Sequence, residues 1–177
     1  MNKKLKRYLI LANLLALAVI LNIIESFIII PLPIPNAKIG LSNIVTIIVI
    51  YLFSCREGFL LAFTRVLLAT FLSGRYGQFA MSFTGTMLST IIMIIVYKLK
   101  FFSIIPISII GSIFHSVGQI LGAAIFVVGS SLAFYYLPIM LLVSLPAGLI
   151  TGIIANKFIK IYQIKNKVIT LEDDKVN

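Results

Sequence analysis

The stretch YLILANLLALAVILNIIESFIII, Tyr8 to Ile30, decides the fold class. It follows Lys3, Lys4, Lys6 and Arg7 in the manner of a signal peptide, and Ala16-Leu17-Ala18 mimics a cleavage site. The apolar run nevertheless continues for more than ten residues beyond that triplet with no polar break, so it reads as an uncleaved membrane-spanning helix. Pro31, Pro33 and Pro35 end it, because each lacks an amide donor and restricts the residue before it. Pro31 to Lys38 is expected to be a stiff external loop.

Outward from that helix the pattern repeats in kind though not in sequence. Apolar segments run over about residues 39–54, 58–73, 78–97, 103–128 and 135–158. Polar turns part them: Cys55-Arg56-Glu57-Gly58, Gly74-Arg75-Tyr76-Gly77, Lys98-Leu99-Lys100 and Gly129-Ser130-Ser131. A chain of 177 residues that is 60% hydrophobic and 11% charged cannot hide its apolar side chains inside a water-soluble globule. Mean hydropathy is +1.13. A soluble enzyme is thereby excluded, and at about 20 residues per span there is room for six spans. The expectation is an all-α integral membrane bundle of six transmembrane helices, residues 1–160, with a polar cytoplasmic tail over 161–177.

The net charge of +10 supports a topology rather than a nucleic-acid partner. With a cytoplasmic N-terminus, Lys3, Lys4, Lys6, Arg7, Arg56, Lys98, Lys100, Lys157, Lys160, Lys165, Lys167 and Lys175 all fall inside, twelve of the 15 basic residues. Both termini are then cytoplasmic, and the basic residues face anionic lipid headgroups. Glu172, Asp173 and Asp174 read as part of a solvated, disordered end. One cysteine, Cys55, and one histidine, His115, leave no disulfide framework and no Cys- or His-rich metal site. No cofactor is expected.

Glu25, Arg65 and His115 are ionisable residues within apolar segments, where a charge costs about 2.5–3.5 kcal/mol to insert. Such groups face a partner, a cavity or the bundle interior. Structural roles compete with functional ones: Arg65 could pair with Glu25 or with carbonyls, His115 could bond a neighbouring helix, and Lys38 could snorkel. Asn22, Glu25 and Ser26 share one face of the first helix, while Ala12 and Ala16 lie on the opposite face, a small-xxx-small pair that admits another helix. Arg65, His115 and Gln119 are expected as polar contacts in a ligand cavity, with Glu25, Lys38 and Asn43 at its mouth. The glycines of Gly111, Gly118 and Gly122 and of Gly148 and Gly152 are expected to pack the fifth helix on the sixth. Ser82, Thr84, Thr86, Ser89 and Thr90 can satisfy backbone carbonyls, and so carry little functional information.

There is no G-x-x-x-x-G-K-[ST] phosphate loop, no series of intramembrane acids and no inverted repeat. A small bundle with a cavity but no motor reads as a binding subunit, not an enzyme.

Four stretches add up to a family resemblance: Lys38-Ile39-Gly40-Leu41-Ser42-Asn43-Ile44-Val45-Thr46, Arg56-Glu57-Gly58, Arg65-Val66-Leu67-Leu68 and His115-x-x-x-Gln119. From about Ala12 to Lys160 the sequence resembles the bacterial Gx transporter family, known also as heptaprenyl diphosphate synthase component I. Ser42 departs from the alanine more common there. That family looks similar to the substrate-binding S components of energy-coupling factor (ECF) transporters. The resemblance implies a lid loop at Pro31 to Lys38 and a pocket near the outer face for a small vitamin-like or aromatic nutrient. It also implies docking through Ala12 and Ala16 on a transmembrane coupling subunit driven by two ATPases, in the bacterial plasma membrane. The family's other name implies instead a helper of polyprenyl diphosphate or quinone synthesis. Prenyl elongation itself needs metal-binding carboxylate clusters, and the adjacent pair Asp173-Asp174 lacks a D-D-x-x-D pattern. Such a helper would be non-catalytic.

Overall fold

A computed structural model describes residues 2–27, 38, 40–126 and 134–176. The six α-helices among them are α1 (Lys3–Phe27), α2 (Asn43–Leu52), α3 (Cys55–Ser73), α4 (Phe79–Leu99), α5 (Ile104–Phe126) and α6 (Leu137–Val176). A single 3-10 turn, Tyr76–Gln78, joins α3 to α4. Most of the expected lid loop and the Gly129-Ser130-Ser131 turn lie outside the described residues.

Local chemistry sets the helix ends. Ser54 caps α3: its Oγ accepts the Glu57 amide at 3.2 Å and donates to Glu57 Oε2 at 3.0 Å. Arg7 of α1 donates to both carboxylate oxygens of Glu57, at 2.9 and 2.7 Å, which ties the starts of α1 and α3 together. Gly74 closes α3 in the left-handed region, at φ +66°, a conformation glycine adopts without strain. α2 starts four residues later than the apolar run does, since Gly40 turns the chain at φ +89° before Asn43 can begin the helix. α6 continues helical to Val176, through the segment expected to be a disordered tail.

Among the described residues four stretches are long and apolar enough to cross a membrane: Lys4–Glu25, Tyr76–Leu99, Ile104–Phe126 and Leu137–Lys165. The other two helices fall short of the six-span expectation for separate reasons. α2 has 10 residues, only about 15 Å of rise against a hydrocarbon core of about 30 Å. α3 is longer, but Arg56, Glu57 and Arg65 interrupt its apolar character.

Short as it is, α2 occupies the centre and touches α1, α3, α4, α5 and α6. One of its faces places Ile47 and Ile50 with Met93, Ile107, Ala155 and Ile159. The other places Val45 and Val49 with Leu14, Ala18 and Leu61. Lipid is as apolar as these side chains, so their gain inside a membrane is close packing rather than escape from water. The outward surface carries Ile20, Phe71, Leu72, Leu142 and Ile150, as a lipid-facing surface requires.

The glycine stripes are divided differently from the sequence expectation. Gly148 and Gly152 of α6 do face α5, at Ile109 and Ile105. Gly111, Gly118 and Gly122 of α5 face α4 instead. A Cβ on Gly118 would stand 2.7 Å from Gly85 Cα and 2.6 Å from the Thr84 carbonyl oxygen, so two backbones meet there. Thr84 Oγ1 reaches the Gly118 carbonyl at 2.7 Å, and Ser89 Oγ donates to that of Gly111 at 2.8 Å. α5 is therefore sandwiched, with glycines toward α4 and the Ser108–Thr151 hydroxyl pair, 2.8 Å apart, toward α6.

Candidate functional site

Every residue expected at the pocket or its mouth is buried: Glu25, Lys38, Asn43, Arg65, His115 and Gln119. Six segments deliver them to one place, α2 supplying Asn43. α1 supplies Asn22 and Glu25 from the face opposite Ala12 and Ala16; the residues before α2 supply Lys38 and Gly40. α3 supplies Arg65, α4 supplies Thr86 and Ser89, and α5 supplies His115 and Gln119.

The end of the loop is clamped from two sides. Gln119 accepts the Lys38 amide through Oε1 at 2.8 Å and donates Nε2 to the Lys38 carbonyl at 2.6 Å. Lys38 Nζ donates to Asn22 Oδ1 at 2.7 Å. Lys38 thus reaches inward and does not snorkel. Glu25 Oε1 accepts the Gly40 amide, and the Leu41 amide at 3.2 Å, placing a carboxylate beside the turn that opens α2. Gly40 itself permits the fit, since a Cβ there would lie 3.0 Å from Asn43 Nδ2 and 3.1 Å from His115 Cδ2.

Arg65 bonds neither to Glu25 nor to carbonyls. Its Nη2 donates to Asn43 Oδ1 at 3.2 Å and to Thr86 Oγ1 at 3.1 Å. Asn43 in turn donates Nδ2 to Ser89 Oγ at 3.3 Å, so one polar chain links α3, α2, α4 and α5. Thr86 and Ser89 give little signal in the sequence because hydroxyls on a membrane helix are ordinarily satisfied by their own backbone. Their spacing of three with Met93 four further on, all buried, is the signal that marked one inward face.

Several polar atoms in this buried region have no hydrogen-bond partner among the described residues: Arg65 Nε and Nη1, Glu25 Oε2 and His115 Nδ1. A native interior pairs nearly all such atoms, so this concentration, three of them on charged groups, sets the region apart from the apolar core.

Burial pushes the Lys38 ammonium down to about 8, against the pull of the Glu25 carboxylate; Arg65 and Arg75 add to the lowering. Between about pH 8 and the ordinary lysine value of 10.5, the unfolded chain holds a proton here that the folded chain has given up. Stability contributed by Lys38 therefore rises with pH across that window. Thermal melts from pH 7.5 to 10 should show a stabilisation in the parent protein that Lys38→Met lacks; parallel curves would refute it.

Two shallow apolar grooves lie on the other side of α1. One is lined by Ala12, Leu15, Ala16, Val19, Ile20, Leu68 and Leu72, the other by Tyr8, Leu11, Ala12, Leu15, Glu57, Leu60, Leu61 and Thr64. Ala12 and Ala16 are both exposed between α1 and α3.

A family profile described as heptaprenyl diphosphate synthase component I matches residues 14–158. The chain belongs to that family. The match takes in all six residues of the expected site, together with Thr86 and Ser89. It includes Ala16 but begins after Ala12. Curated proteins and solved structures give no match. As a component I chain it is an all-helical membrane protein, and its family carries the name of one part of a synthase.

Proposed function

We propose that this component I chain is a membrane-embedded binding subunit that captures a small nutrient, vitamin-like or aromatic, and hands it to a separate ATP-driven partner. It is the S-component role in an ECF-type uptake system, performed from the bacterial plasma membrane. In this reading the six helices form one membrane bundle with both termini cytoplasmic, in keeping with the distribution of basic residues.

One observation carries the proposal: the two faces of α1 do different work. Asn22 and Glu25 are buried in the polar site, while Ala12 and Ala16 are exposed in apolar grooves against α3. A small-residue face open to lipid is a surface on which another helix packs closely. The absence of a phosphate loop from the sequence leaves energy supply to that partner.

The test is a double substitution, Ala12→Leu with Ala16→Leu. Co-purification with the transmembrane coupling subunit is expected to disappear while ligand binding persists. Undiminished co-purification would remove the docking role.

The family's description favours a second reading, a non-catalytic membrane helper of polyprenyl diphosphate or quinone synthesis. Deleting the chain and measuring quinone chain length separates the two. A changed chain length supports the helper; lost nutrient uptake with normal quinones supports the transporter subunit.

A further inference from the structure

We infer that the buried site takes the carboxylate of a monoanionic small molecule, received by Arg65. The inference deepens the binding-subunit reading and rests on it.

Arg65 is fully buried, and a guanidinium carries five N–H donors in a fixed plane. Nη2 is committed to Asn43 and Thr86. Nε and Nη1, with three donors between them, have no acceptor among the described residues. Had the cation been placed for structure alone, the nearby carboxylate of Glu25 would be its natural partner. Glu25 instead spends Oε1 on the Gly40 and Leu41 amides, and Lys38 is held by Asn22. The protein thus keeps a desolvated cation oriented by neutral acceptors on one nitrogen and leaves the rest of its donors unused. That arrangement suits a ligand bringing negative charge, because charge-assisted bonds formed away from water are the strong ones.

Charge decides which anion. Among the buried described residues of the site, Arg65 and Lys38 stand against the carboxylate of Glu25, which leaves one positive charge to be neutralised. A monocarboxylate balances it. A diphosphate brings more negative charge than the one positive charge left over in the buried site can balance.

Full-length protein in detergent would be melted with benzoate, nicotinate and octanoate, with their uncharged amides, and with inorganic pyrophosphate. At least one acid is expected to raise Tm with an affinity tenfold or more above that of its amide. Arg65→Met should abolish the effect, and Arg65→Lys, which keeps the charge without the planar donors, should retain part of it. Ligand-free Arg65→Met should melt at or above the parent temperature, since it removes unpaired donors. A melting point more than about 5 °C lower would show Arg65 to be a structural residue and overturn the assignment. Equal effects of acid and amide, no acid outperforming its amide, or stabilisation by pyrophosphate alone would each overturn it too. None of those results bears on the Ala12 and Ala16 docking assay, which judges the binding-subunit reading separately.

Discussion

Glu25→Gln is expected to lower the stability of the folded chain by about 1.5–3 kcal/mol, since it weakens the acceptor of two amides and removes a carboxylate that acts on the buried Lys38 and Arg65. The amide oxygen of glutamine can still accept the Gly40 and Leu41 amides, so the shape of the turn into α2 survives. What disappears is the negative charge facing Lys38 and Arg65, both buried and both cationic. Combining Glu25→Gln with Arg65→Met should recover a large part of the loss, because one of the two stranded cations is then gone. Denaturation of the four proteins in detergent closes this cycle. A single variant within about 0.5 kcal/mol of the parent would mean that the carboxylate serves only as a hydrogen-bond acceptor.

Gly118→Val is the more disruptive change to the bundle. The new side chain meets the Gly85 Cα and the Thr84 carbonyl, backbone atoms that cannot rotate out of the way. α4 and α5 must separate, and the Thr84 bond to the Gly118 carbonyl goes with them. Overpacking in a tight core costs about 1–3 kcal/mol even where side chains can yield; here the obstacle is main chain, and the loss is expected at or above the top of that range. Gly111→Ala is the control, since its nearest neighbour is the flexible end of Met93. The yield of monodisperse protein after detergent extraction should fall steeply for Gly118→Val and little for Gly111→Ala. Equal yields would show that α4 and α5 need not approach so closely.

Much of the site could be read in advance, for a physical reason. A charged or amide side chain is expensive in hydrocarbon, so Glu25, Arg65, His115 and Gln119 announce themselves as inward-facing wherever they occur in an apolar run. Thr86 and Ser89 make no such announcement. A hydroxyl can bond its own helix at little cost, and only the position of Arg65 and Asn43 turns these two into partners of the site. The destination of the glycines was hidden in the same way, since spacing fixes the face of α5 on which they lie but not which helix covers it.

Composition placed this chain in a membrane, because 60% hydrophobic residues with 11% charged ones cannot form a water-soluble globule at this length, and continuous apolar runs of helical length such as Tyr8 to Ile30 made it helical. The opposition of Ala12 and Ala16 to Glu25 followed from helical periodicity, a property of the local backbone. Tertiary structure decided the rest. It placed the ten-residue α2 at the centre, where an apolar run too short to span the membrane touches five other helices and buries most of its side chains. It also gave Arg65 to Asn43 and Thr86 instead of to Glu25, since which groups meet depends on how helices distant in sequence cross, and no spacing along one helix encodes that.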